Sequence, residues 1–299
     1  PNAGIQFWQP KEDPEAFGAL VAATSPAIRA ADADAEVVLG GLFWPDLFLN
    51  TTGPDFLDQV GAALPDLADL VDVISIHPYR YPFTAPDLPS DSQGSMVSEI
   101  CAAWDQMEDL GLGEHEMWIG ELGWHTAPDA FFPGADEATH AAWLVRAAVL
   151  SFAQGASQFA WYTFRDSGDN VIDQEDMFGL VGFDPDPTDD VPPEEKQAFG
   201  AYVTLMHMLG THDTITDGSV TLGLGPEHFG YLLSGGEGET WVLWSTGEST
   251  ELDVPVSEGA RVHHVQMGGD SRVVRPVYGT VRVAVGTEPV YLSVVVEED

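Results

Sequence analysis

The chain has 299 residues, 44% of them hydrophobic and 10% aromatic, enough for one large domain or two ordinary ones and too apolar for a disordered tail. Aspartate and glutamate total 49 against 10 lysines and arginines, a formal net charge of -39 at pH 7. With no basic stripe to neutralise phosphates, nucleic acid is excluded as a partner. No run approaches the ~20 apolar residues of a membrane span; residues 141–153 come nearest, and Arg146 interrupts them. The acids are spread along the whole length and only Lys11 and Lys196 are lysines, a pattern that reads as adaptation to high salt rather than as an acidic tail.

In chain order, Asp13-Pro14 is a helix N-cap followed by proline at the first helical position. Phe17, Leu20, Val21, Thr24 and Ile28 then fall on one helical face. A buried strand follows at 37–42, a broken helix runs from Gly53-Pro54 to 70, and a second strand occupies 71–77. A helix over 96–110 ends at Gly111 and Gly113; it contains Cys101, the only cysteine, which is expected to be buried. Next come a strand at 117–121, a helix at 136–154 that is apolar nearly all round, a strand at 158–164, and a helix from Pro192-Pro193 to Gly210. Repeated αβ units with apolar strands predict a parallel sheet with helices outside it, in an α/β fold class. Beyond about Thr211 the texture changes to short alternating runs at 228–233, 241–245, 261–266, 273–285 and 290–296, separated by glycine-rich turns. These predict an antiparallel β-sandwich, so the expected domains are 1–212 and 213–299. Trp241 and Trp244 should face opposite sides of their strand, one packed and one free to be exposed. The sandwich reads as structural, because no paired exposed aromatics are evident.

Chemistry concentrates at strand ends: His77 and Tyr79 on one, Glu121 on the next, Trp161 on the last. In parallel α/β barrels such ends build the active site. Glu121 closes the apolar run Met117-Trp118-Ile119-Gly120 and precedes Leu122-Gly123-Trp124. A carboxylate there is costly unless something uses or pairs it, and Gly120 and Gly123 leave room for a ligand beside the backbone. The competing structural reading pairs Glu121 with Arg165. The acid-rich stretch Asp166, Asp169, Asn170, Asp173, Glu175 and Asp176 lacks the spacing of a calcium loop and reads as a solvated loop. His263-His264 in an alternating strand cannot aim both rings at one metal, so no metal is expected.

Five segments in order carry a resemblance: Phe7-Trp8-Gln9-Pro10 with Asp13-Pro14-Glu15; Ala30 to Ala35 leading to Val38-Leu39-Gly40-Gly41; Ser75-Ile76-His77-Pro78-Tyr79; Trp118 to Trp124; and Trp161 to Asp166 with Phe178-Gly179-Leu180. Together they resemble the fourth to eighth strand regions of the clan A glycoside hydrolases, families 5 and 39 in particular. The resemblance implies the second half of a (β/α)8 TIM barrel followed by the sandwich, and retaining hydrolysis of O-glycosidic bonds in a poly- or oligosaccharide, without a cofactor. Glu121 would be the nucleophile, with Tyr79 donating to it and His77 serving a sugar hydroxyl or the same carboxylate. Trp161, Trp124 and Trp8 would offer stacking faces to the carbohydrate. In this clan the acid/base is the Glu directly before a Pro, a position that falls immediately before Pro1. The expectation is therefore a fragment that lacks the acid/base and the first half of the barrel and is inactive alone. The expected location is extracellular or at the cell surface. The alternative is a non-catalytic carbohydrate-binding or cell-surface protein on the same scaffold.

Overall fold

A computed structural model of the chain describes residues 1–2, 8–45, 52–90, 93–236, 238–257 and 259–295, so Phe7 and Val296 lie outside the described residues. Asp13 accepts from the Ala16 amide at 3.0 Å and so starts α1 (Pro14–Ala31). The buried face of α1 is Gly18, Val21 and Ser25, whereas Leu20 and Ile28 of the expected stripe are exposed. Small residues take the inner face because α2 (Gly53–Ala63) approaches closely. A Cβ on Gly18 would stand 3.5 Å from Leu64 Cβ, and Ser25 Oγ donates to the Leu70 carbonyl at 2.6 Å.

Strand β1 (Val38–Phe43) precedes α2; α3 (Leu67–Leu70), β2 (Val73–His77), α4 (Met96–Asp109) and β3 (Glu116–Leu122) follow it. Helix α5 (Glu137–Ala153) then leads to β4 (Gln158–Trp161). The four strands form one parallel sheet in the order β1-β2-β3-β4. Leu39, Leu42, Val73, Ile74, Ile76, Met117 and Ile119 are buried in it, as are Phe56, Leu57 and Val60 of α2. Helix α4 buries Met96, Ile100, Ala103 and Met107, spaced by four, three and four, which turns Cys101 outward. The expectation of a buried Cys101 is thus corrected: it is exposed, its thiol 3.4 Å from Gln154 Oε1.

The N-terminal ends of the strands are held by Asp72. It accepts from Val37 N at 2.7 Å and from Arg29 at 3.0 Å through both carboxylate oxygens. The Val37 amide bond, then Arg29, hold this carboxyl below its usual range.

The chain divides into two compact units, residues 1–123 with 154–162, and residues 124–153 with 163–299. The second unit contains α5, α6 (Gln197–Leu209), β5 (Thr214–Asp217), a short α7 (Ser219–Leu222), β6 (His228–Ser234) and β7 (Glu239–Ser245). It continues through β8 (Thr250–Pro255), β9 (Arg261–Gln266), β10 (Ser271–Val274), β11 (Thr280–Val285) and β12 (Val290–Val295). An antiparallel sheet ordered β10-β9-β12-β7-β6-β5 faces the pair β11-β8. Trp241, Leu243, Val262, Val283 and Leu292 are among the core residues between them. The run predicted at 273–285 is two strands in different sheets, because Pro276 cannot donate to a ladder and the chain turns at Tyr278-Gly279.

Trp241 and Trp244 do face opposite sides, yet both are buried. Trp244 stacks on Phe229 and Tyr231, with centroids 5.2 and 5.4 Å away, on the face away from the sandwich core. That side meets helices of the same unit: α5 contacts β5, and Arg146 of α5 donates to the Thr287 carbonyl. Helix α6 touches the β9–β10 turn, where a Cβ on Gly269 would lie 3.0 Å from Thr204 Oγ1.

Two fully buried histidines in this unit set an acid limit on its stability. Burial holds His125 down to about 4 and His140 to about 3, with Lys196 reinforcing the latter. Because both folded values lie below the ordinary histidine value of 6.5, their contribution is complete above about pH 6.5 and is lost as the pH falls. By pH 5 the loss should be about 2 kcal/mol per histidine. Urea unfolding of the second unit at pH 7.5 and pH 5, at fixed salt, should show this slope. The double variant His125→Asn/His140→Asn should flatten it, and an unchanged slope would refute the assignment.

Candidate active site

The first unit brings His77, Tyr79 and Glu121 together at the C-terminal end of its sheet. Tyr79 Oη donates to Glu121 Oε1 at 2.7 Å, and His77 Nδ1 stands 3.8 Å from Glu121 Oε2. Among the described residues these are the polar partners of Glu121, whose side chain remains 37% exposed. His77 has its pKa lowered, chiefly by burial, with Glu121 opposing. A neutral imidazole therefore faces the carboxylate at pH 7. Arg165 belongs to a different pair, with Asp184 at 3.6 Å.

A bulge determines which way Glu121 points. Ile119 pairs with Phe159 and Leu122 with Trp161, so β3 uses three steps where β4 uses two. The extra residue changes the phase of the alternation, and Leu122 rather than Glu121 continues the buried face of Met117 and Ile119. A second bulge lies in β1, between Leu39 and Leu42, at Gly40-Gly41. Gly41 has φ +70°, and a Cβ there would stand 3.4 Å from His77 Cε1. On the other side, a Cβ on Gly120 would overlap Ser75 Oγ and stand 3.3 Å from His77 Nε2. The space expected to admit a ligand beside Gly120 is therefore taken by Ser75 and His77; its use is to let the imidazole sit between two strands. Gly120→Ala should cost roughly 1–3 kcal/mol through overpacking. Adding Ser75→Ala should restore most of the lost Tm, and no rescue would mean that Ser75 is not what the methyl group meets.

The backbone around Tyr79 is held on both sides. Gln93 Nε2 donates to the Tyr79 carbonyl at 3.1 Å and Gln93 Oε1 accepts from Tyr81 N at 2.6 Å. Arg80, fully buried, reaches Glu99 at 3.3 Å and donates to the Leu88 carbonyl at 3.1 Å. Burial pushes Glu99 up to about 7 against the opposing pull of Arg80. Phe43 stacks on the Tyr79 ring at 6.0 Å and 28°, and the Asn2 amide holds Phe43 by a bond to its carbonyl at 2.7 Å and one from its N at 2.9 Å. None of these supports is visible as a motif. Gln93 and Glu99 lie 14 and 20 residues beyond Tyr79 in a loop and a helix whose patterns advertise only turn and helix.

The aromatic residues divide. Trp161 is half-buried at the last rung of β4, level with Leu122. Trp8 is half-buried and packs edge-on against Phe17 of α1 at 6.0 Å, a packing role. Trp124 is 0% exposed, its ring 5.6 Å from that of Trp143, so the stacking face expected of it is not available. The acid-rich loop is solvated as expected at Asp169, Asn170, Asp173 and Glu175, but not at its first residue. Asp166 is buried, accepting from Lys196 Nζ at 2.7 Å and from Gly179 N at 2.6 Å, and Lys196 also donates to Thr126 Oγ1 at 3.0 Å. Among the described residues no group of three or more His, Cys, Asp or Glu could hold a metal ion. No described helix is long and apolar enough to cross a membrane.

No family model and no curated protein matches this sequence. Solved structures do. A family 39 glycoside hydrolase from the gut symbiont Bacteroides cellulosilyticus WH2 aligns over 94% of this chain and 55% of its own, with TM-score 0.74 and 20% identity. The fold is that of glycoside hydrolases. A monomeric beta-xylosidase from Caulobacter crescentus CB15 aligns with TM-score 0.58 and 12% identity, over 97% of this chain and 67% of its own. A family 51 alpha-L-arabinofuranosidase from Bifidobacterium longum gives TM-score 0.58 and 10% identity, over 94% and 64%. This chain thus spans about half to two thirds of the length of these structures, and at such identities the likeness is one of fold.

Proposed function

We propose that the whole protein is a retaining glycoside hydrolase of the clan A type, acting on the O-glycosidic bonds of a poly- or oligosaccharide, with Glu121 as nucleophile. The observation that carries this is the strand-end carboxylate held at 2.7 Å by Tyr79 and faced by a neutral His77. Glu121 Oε2, the oxygen Tyr79 does not bind, attacks the anomeric carbon as the bond to the leaving oxygen breaks. That oxygen takes a proton from a second carboxylic acid, which then deprotonates the water that releases the sugar. Trp161 offers the sugar an apolar ring face beside the nucleophile.

Retaining enzymes hold their two carboxyl groups about 5–5.5 Å apart. In a chain that continues before Pro1, we assign the acid/base to the position directly before that proline, as the resemblance to the clan implies. The parallel sheet is then one half of a (β/α)8 barrel and residues 213–299 form the appended sandwich. Halophilic origin and an extracellular or cell-surface site of action complete the proposal. A non-catalytic binder is less well supported, because Glu121 is engaged by Tyr79 and His77 while Arg165 is engaged by Asp184.

The test is covalent trapping. The full-length protein, incubated with a panel of activated 2-deoxy-2-fluoro glycosides in molar KCl, should gain one glycosyl group on a peptide containing Glu121. Labelling of another carboxylate, or turnover with inversion, would overturn the reading.

A further inference from the structure

The arginines of this chain are nearly all spoken for. Arg29, Arg80, Arg165 and Arg282 each pair with a carboxylate, Arg146 donates to the Thr287 carbonyl and Arg272 to His264 Nδ1. Arg261 and Arg275 are exposed and, among the described residues, have no carboxylate partner, although acids outnumber bases 49 to 10 along the chain. Both line one groove of 740 Å³ at the edge of the sandwich, where the chain leaves β10 and crosses to β11. Among the described residues they are the only charged ones on its walls, which are otherwise glycine, alanine, valine and proline with Tyr278.

Tyr278 is built to stand out. A two-residue hairpin is closed by Val277 N to Thr280 O at 2.8 Å and Thr280 N to Val277 O at 3.2 Å. Its two central residues have φ of 53° at Tyr278 and 72° at Gly279. Such turns favour Asn-Gly, since left-handed φ disfavours a bulky side chain. A tyrosine held there, with its side chain fully exposed at 101%, contributes nothing to the core that would explain its placement. The combination is an exposed flat ring beside two exposed guanidinium groups that no described carboxylate engages. Uncommitted arginines suit carboxylates, which they can bind in bidentate fashion, and an aromatic face suits the C–H face of a pyranose.

We propose that this groove binds an acidic sugar residue of a polysaccharide, with Tyr278 against the ring and Arg261 and Arg275 on its carboxylate. Among the described residues no two exposed aromatics pair on the sandwich; here one aromatic is instead paired with two cations. The site lies in the second unit and is independent of Glu121. The charge of -39 repels a polyanion at long range, so binding should strengthen as salt is raised to about 1 M, where the Debye length is about 3 Å. The contacts themselves act below that distance.

The test is affinity electrophoresis and calorimetry of the intact chain with polygalacturonate and with the neutral polymer galactan, in about 1 M KCl. Polygalacturonate should bind and galactan should bind at least about tenfold more weakly. Tyr278→Asn, which suits the backbone and should not lower Tm, and the double variant Arg261→Gln/Arg275→Gln should each weaken polygalacturonate binding about tenfold. Tyr278→Trp and Glu121→Gln should both retain it. Equal binding of the two polymers, or binding indifferent to these variants, overturns the proposal. Self-association that the same variants abolish, without polysaccharide binding, overturns it in favour of a contact between copies of the chain.

Discussion

Glu121→Gln in the full-length protein should lower turnover by several orders of magnitude while carbohydrate binding persists. The amide keeps the shape of the side chain and can still meet Tyr79, but it has no anionic oxygen to form the glycosyl ester. Tyr79→Phe should act through the same atom more mildly. It removes one hydrogen bond to a charged group, worth about 1.5–3 kcal/mol, and hence roughly 10- to 100-fold in rate if that bond is used mainly in the transition state. The ranking of the two is the informative result. Added azide should rescue Glu121→Gln in part by attacking the anomeric carbon in its place. Near-normal turnover in Glu121→Gln, or a larger loss in Tyr79→Phe than in Glu121→Gln, would remove Glu121 from the nucleophile's role.

The unfolding temperature should rise by about 10 °C or more between ~0.1 and ~2 M KCl. The driving term is self-repulsion among carboxylates in a chain of net charge -39, which salt screens. Salt also weakens favourable pairs, but few compete: Arg29–Asp72 is partly exposed and Arg282–Asp253 exposed, and pairs of that kind contribute little. The pairs Arg80–Glu99 and Lys196–Asp166 are shielded from solvent and little affected by added ions. Repulsion therefore dominates the response. A Tm that stays flat over that range would remove the halophilic reading.

Local patterns were legible in the order of residues. Apolar runs ending in His77 and Glu121 named two strands and the candidate site at their ends, because an ionisable group closing a buried strand stands out against its own neighbours. Asp13-Pro14 named the start of α1, since capping depends on residues within a turn of one another. The change from helical to alternating periodicity placed the antiparallel strands. Tertiary structure decided what depends on partners distant in the chain. The inner face of α1 went to Gly18 and Ser25 because α2 and the Leu70 carbonyl lie against them, although Leu20 and Ile28 are more apolar. Trp124 and Trp244 were lost to packing because other elements cover faces that a lone strand or loop would expose. The direction of Glu121 was set by an extra residue in β3, which is defined only by its register against β4. The hold on Tyr79 by Gln93, and the pairing of Asp166 with Lys196 30 residues away, likewise exist only once the chain has closed on itself. Periodicity reports which side chains share a face; which face is buried, and which groups meet a carboxylate, is decided by what comes to lie against it.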